Sequence, residues 1–194
     1  MPETSEISDV LHAIFSVAVE PANETQRVGK IADSIITGGY DAFTVNAAAG
    51  RAYYRNALRL NKGQQYEISM NFLQKAQDLK PDDREITNDI GWCAYALAMA
   101  STENETALEY FRRAAENLST VLDLYPNDAD MKMMIGYACF KTGDMNRARA
   151  LIEEALSYIH EDGYHEELKD IVRTGLMHMS AVTFDPAAPQ TQFG

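Results

Sequence analysis

Apolar residues recur at steps of three and four along almost the whole 194-residue chain, and no stretch alternates strictly. The first period is that of an α-helix; a half-buried strand needs period two. The spacing predicts a first helix over residues 5–19, with Ile7, Val10, Leu11, Ile14 and Phe15 on one face and Pro21 as its stop. Asn23 caps a second helix, which Gly38-Gly39 ends. Residues 40–45 read as a connector, and Asn46 as the cap of a third helix reaching Leu60. Further helices follow over 64–79, 84–100, 105–124, 128–141, 146–159 and 164–181, punctuated by Lys62-Gly63, Pro81, Pro126 and Gly143-Asp144. The chain is expected to be all-α.

Composition narrows the function classes. Hydrophobic residues make up 46%, too many for a disordered tail, and the length suits one domain with its own core. Seventeen Lys+Arg face 29 Asp+Glu, a net charge of −12, whereas a nucleic-acid binder carries a basic excess. Acidity favours basic or amphipathic protein partners. The two cysteines, Cys93 and Cys139, lie in apolar helical surroundings and read as core residues of a reducing, cytoplasmic environment. No apolar run approaches the length that spans a bilayer, and the acidic start (Glu3, Glu6, Asp9) is unlike a signal peptide.

The helices also repeat. Ile135-Gly136 matches Ile90-Gly91, each within the first helix of a pair. Ala148, Ile152 and Ala155 stand four and three apart, as do Ala107, Phe111 and Ala114, and Ser69, Leu73 and Ala76. Gly136 to Ala148 is 12 residues, as is Ala57 to Ser69, and Ala57 to Gly91 is 34. These spacings resemble the tetratricopeptide repeat, a 34-residue helix–turn–helix unit with small residues where its helices cross. The resemblance implies a right-handed superhelix of antiparallel helix pairs with N- and C-terminal capping helices. It divides the chain into a helical cap (1–49), three repeats (50–83, 84–127 and 128–162), a capping helix (163–184) and a disordered tail (185–194). Tyr53 takes the aromatic position of repeat one, and Ala57 its crossing.

Repeat two departs from the pattern, because Gly91 to Gly136 is 45 residues, 11 more than one repeat. One alignment puts Ala107 at the crossing, with four extra residues in the turn and seven extending the second helix. The other puts Ala114 at the crossing and all 11 in the turn. The Ala107–Ala114 spacing favours the first.

In this family the first helix of each repeat lines a concave groove. The corresponding residues are Arg51, Tyr54, Asn61 and Lys62 from repeat one, Asn88, Trp92 and Tyr95 from repeat two, and Met133, Tyr137, Phe140 and Lys141 from repeat three. Aromatics with a few amides and cations suit a bound peptide, with large contact area at low entropy cost. The family's carboxylate-clamp subtype needs Lys, Asn and Arg where this chain has Tyr54, Leu58, Asp89, Asp130 and Met134, so that mode is not expected. The resemblance implies a non-enzymatic adaptor or chaperone that holds a protein segment. The alternative is a self-assembling scaffold, driven by the apolar faces of the first two helices or by the long sixth helix, with Leu118, Val121 and Tyr125 at a contact between copies. No catalytic set of acid, base and nucleophile appears, and neither a cofactor nor a metal is expected. His160 and His165 are five apart with Gly163 between, the wrong spacing for two ligands on one helical face.

Overall fold

The computed structural model describes residues 24–60 and 63–158. The expected helices over 5–19 and 164–181, the cap Asn23, the groove residues Asn61 and Lys62, the His160/His165 cluster and the tail lie outside the described residues. Among those described, every regular element is helical: α1 (Glu24–Thr37), α2 (Ala42–Leu60), α3 (Gly63–Leu79), α4 (Arg84–Ala100), α5 (Asn104–Val121), a 3-10 turn (Leu122–Leu124), α6 (Ala129–Thr142) and α7 (Met145–Tyr158). None is long and apolar enough to cross a membrane.

Short connections fold α2 on α3, α4 on α5 and α6 on α7 as hairpins, and successive hairpins meet through α3 with α4 and α5 with α6. α1 packs on α2. The core follows this order. Val28, Ala32, Val45, Tyr53 and Phe72 join α1 to the first hairpin. Leu73, Ile86, Ile90 and Cys93 join the first hairpin to the second. Leu118, Met131, Ile135 and Cys139 join the second to the third. Each hairpin alone would leave one apolar face open, so burial passes from neighbour to neighbour.

Aspartates start the first helix of each pair. Asp83 accepts from the Ile86 amide at 3.0 Å, and Asp128 from the Met131 amide at 2.8 Å. Asp41 does the same for α2, accepting from both the Thr44 amide (2.8 Å) and its hydroxyl (2.7 Å). That overturns the reading of 40–45 as a connector capped by Asn46. Asn46 sits a turn inside α2, buried, donating to the Ala42 carbonyl at 2.7 Å. Gly143 ends α6 at φ 90°, and the Asp144 amide reaches back to the Cys139 carbonyl at 2.9 Å.

The crossings correct the repeat register. A Cβ on Gly136 would lie 2.6 Å from Ile152 and 3.2 Å from the Ala148 carbonyl, so the expected crossing of the third hairpin holds. In the second, a Cβ on Gly91 would meet Leu118 at 2.6 Å, which puts Ala114, not Ala107, opposite it. In the first, the close approach falls at Gly50, where a Cβ would meet Leu73 at 2.7 Å, and not at Ala57. The Ser69 hydroxyl donates to the Gly50 carbonyl at 2.7 Å across that crossing. Against the 12 residues from Gly136 to Ala148, Gly50 to Ser69 is 19 and Gly91 to Ala114 is 23. The first two hairpins are therefore longer than the third by seven and 11 residues. In the second, three of the 11 prolong α4, one widens the turn and seven precede Ala114 in α5. Ten of the 11 are helical, and the insertion projects at the hairpin's closed end.

Leu118 and Val121 are fully buried against α6, which removes them from any surface between copies. Tyr125 is exposed.

Candidate functional site: an aromatic face with two clefts

The crossing glycines fix the register of α2, α4 and α6. One residue beyond each stand Arg51, Trp92 and Tyr137; four beyond, Tyr54, Tyr95 and Phe140; five beyond, Arg55, Ala96 and Lys141. Offsets of one, four and five share one helical face. The three helices thus present an aromatic column, Tyr54–Tyr95–Phe140, beside a second row.

A first cleft of about 410 Å³ lies between α2 and α4, lined by Arg51, Tyr54, Arg55, Leu73, Asp89 and Trp92. Arg51 Nε donates to Asp89 Oδ2 at 2.6 Å and its Nη2 to Glu85 Oε2 at 3.2 Å. Burial opposes the Arg51 charge, but these two carboxylates more than offset it and hold its pKa above the usual value. Asp89 shows the opposite balance: burial raises its carboxyl above the usual range, and Arg51 offsets only part of that. The two shifts differ because the Asp89 side chain is the more enclosed of the pair, 25% exposed against 36%. Trp92 Nε1 donates to Asn88 Oδ1 at 3.1 Å, one turn earlier on α4. The Tyr54 ring meets Tyr66 at 5.7 Å between centroids, and burial holds its phenol above the ordinary range.

A second cleft of about 550 Å³ opens where the long second hairpin overhangs the α6–α7 turn. Met99, Leu108, Phe111, Tyr137, Phe140 and Met145 give it apolar walls, with Lys141 at its edge. Edge-on ring contacts build its floor: Tyr95–Tyr137 at 6.2 Å, Tyr95–Phe111 at 5.9 Å and Phe111–Tyr137 at 5.7 Å. Lys141 Nζ lies 5.8 Å from the Tyr137 ring centroid. Toward the first hairpin the overhang is covered, since a Cβ on Gly63 would stand 3.8 Å from Ala100. Toward the shorter third hairpin it is bare, and Met99 is 56% exposed.

Of the residues expected in a groove, Arg51, Tyr54 and Trp92 meet at the first cleft, with Asn88 tied to Trp92. Tyr137, Phe140 and Lys141 line the second, and Tyr95 supports its floor. Met133 is half-buried and lines neither. Sequence reasoning missed Arg55, which the Gly50 register would have exposed as the equivalent of Lys141. It also missed Met99 and Leu108, which belong to the projecting part of the second hairpin and have no counterpart in a regular repeat, and Phe111 and Met145, which stand at equivalent positions three residues before Ala114 and Ala148.

The described residues hold no cluster of three His, Cys, Asp or Glu able to bind a metal. Burial pushes the Cys93 thiol up to about 12, and that of Cys139 above the usual 9.0. Cys93 also donates to the Tyr66 carbonyl at 3.3 Å. Both thiols are therefore expected to resist a thiolate-seeking reagent at pH 8 until the protein opens, with labelling accelerated by urea. The linkage sign is set by the same shift. The unfolded Cys93 thiol ionises near 9 while the native one keeps its proton to about 12. The Tyr95 phenol likewise rises from 10.0 to about 12. Their stability contribution is complete below pH 9 and is lost as pH climbs toward 12, so the urea midpoint should fall across that window.

A comparison with curated proteins returns no match. Residues 104–164 match the model of the tetratricopeptide repeat. That segment runs from the start of α5 through α7 and contains the crossing of Gly136 with Ala148. That segment is similar to the tetratricopeptide repeat, and the stacked hairpins before it share its all-helical, pairwise-packed architecture.

Proposed function

We propose that the face formed by α2, α4 and α6 holds a peptide segment of another protein, and that the chain works as a non-enzymatic adaptor or chaperone in the cytoplasm. The similarity of residues 104–164 to the tetratricopeptide repeat points to protein–protein interaction in general. The observation that carries the finer reading is the aromatic column Tyr54–Tyr95–Phe140 flanked by two clefts. Each of these rings already packs against a neighbouring ring and so loses little freedom on binding, which suits them as anchors. Trp92 and Tyr137 stand beside that column, one in each cleft. Self-assembly through the long helix is the weaker reading, because two of the three residues assigned to that contact between copies are buried in the monomer.

Trp92→Glu combined with Tyr137→Glu should abolish co-purification of a bound protein while the helical melt stays cooperative. Trp92→Ala, which introduces no buried charge, should weaken the same capture. A partner that remains bound to both variants would place binding elsewhere.

A further inference from the structure

The net charge of −12 suggests basic partners, but each of the two clefts presents a cation with no carboxylate paired to it among the described residues. Glu85 and Asp89, the carboxylates at the first cleft, are both engaged by Arg51. Arg55 lines that cleft, is exposed, and makes no ion pair among the described residues. It lies near enough to Asp89 to lower that carboxyl's pKa, yet it forms no contact with it of ion-pair length. In the second cleft Lys141 is exposed beside the Tyr137 ring and likewise has no carboxylate partner among the described residues. The remaining acid on this face, Asp130, sits in the first turn of α6 and lines neither cleft. Each cleft thus pairs an aromatic wall with one uncommitted cation, at equivalent positions five residues beyond Gly50 and Gly136.

We infer that the peptide recognised on this face is acidic and amphipathic, placing an apolar side chain in each cleft and a carboxylate beside each of Arg55 and Lys141. The inference rests on the peptide-binding reading above. It survives the acidic coat because salt screens charges beyond about 8 Å at physiological ionic strength, leaving the cations nearest the ligand to decide its sign. An apolar anchor alone would not discriminate between signs.

Trp92 is the chain's one tryptophan, so its emission reports on the first cleft directly. Two tryptophan-free amphipathic peptides with identical apolar positions, one with Glu and one with Lys at the polar positions, should be titrated into the full chain. Trp92 emission and the anisotropy of a peptide label are the readouts. The Glu peptide is expected to bind about tenfold more tightly, two modest charge pairs' worth. Arg55→Glu with Lys141→Glu should invert the preference. Arg27→Glu with Lys30→Glu, the same change in net charge on exposed residues of α1, should leave it intact. A tighter Lys peptide, equal affinities, or a preference unmoved by the Arg55/Lys141 exchange would overturn the charge assignment and leave peptide binding standing. Absence of any response to either peptide would overturn both.

Discussion

Gly91→Val is expected to destabilise the protein by on the order of 3 kcal/mol, because there is no room at the second crossing for a branched side chain. A Cβ there would already stand 2.6 Å from the Leu118 side chain and 3.2 Å from its backbone nitrogen. Leu118 is fully buried and cannot swing aside without disturbing Ile135 and Met131 around it. Ala107→Val, at the position that spacing alone would make the crossing, should cost under about 1 kcal/mol. Ala107 is half-buried and lines the open second cleft. The contrast tests the register itself. Leu118→Ala alone should cost about 2–5 kcal/mol through the cavity it leaves. Combined with Gly91→Ala, it should cost about 1 kcal/mol less than the two separately, since the new methyl enters that cavity. Urea denaturation followed by circular dichroism gives all four values. A Gly91→Val protein as stable as the parent would overturn the assignment of this crossing.

The second large effect concerns Lys132, a charged side chain only 3% exposed inside the third hairpin. Its Nζ lies 2.5 Å from Glu154 Oε1 and 4.4 Å from the Tyr158 ring centroid. Glu154 is half-exposed, so the pair is buried on one side only. Removing the carboxylate leaves the ammonium enclosed with the ring as its remaining partner. Glu154→Ala should therefore cost about 3 kcal/mol, the lower end of the range for broken buried pairs, because Lys132 can shift toward water. Lys132→Met removes the charge and keeps the volume, and it should be close to neutral or stabilising. Equal losses in the two variants would show that the pair contributes through its attraction and not through the burden of an enclosed charge. The same denaturation measurement decides between them.

Much of this architecture was legible in the chain. The three- and four-residue period gave the helices, and proline and glycine gave most of their ends. Boundaries were less secure where two signals competed. Asn46 looked like a cap by residue type, but Asp41 lies five residues earlier and its carboxylate satisfies the Thr44 amide. Asn46 then has a carbonyl to donate to within the helix. Spacing also misplaced two of three crossings. Ala57 and Ala107 are small residues at attractive intervals, but each lies seven residues from the true position, Gly50 or Ala114. Seven residues are nearly two full turns, so a wrong register keeps the same face of the helix. This is why a misregistered alignment still puts Arg51 and Tyr54 on the face they occupy beside the first cleft.

The sequence by itself determined the helical class, the stacking of pairs and the aromatic character of one face, because those follow from periodicity along a single helix. Only the tertiary structure decided where the helices cross, since a crossing is a steric fact about two backbones and a periodic pattern fits it equally well one heptad away. It also decided how the inserted residues divide, three prolonging α4, one in the turn and seven ahead of Ala114 in α5, where spacing put four in the turn. The overhang exists because the first hairpin is nearly as long and the third is not. The second cleft, with Lys141 at its edge, is a consequence of that difference in length.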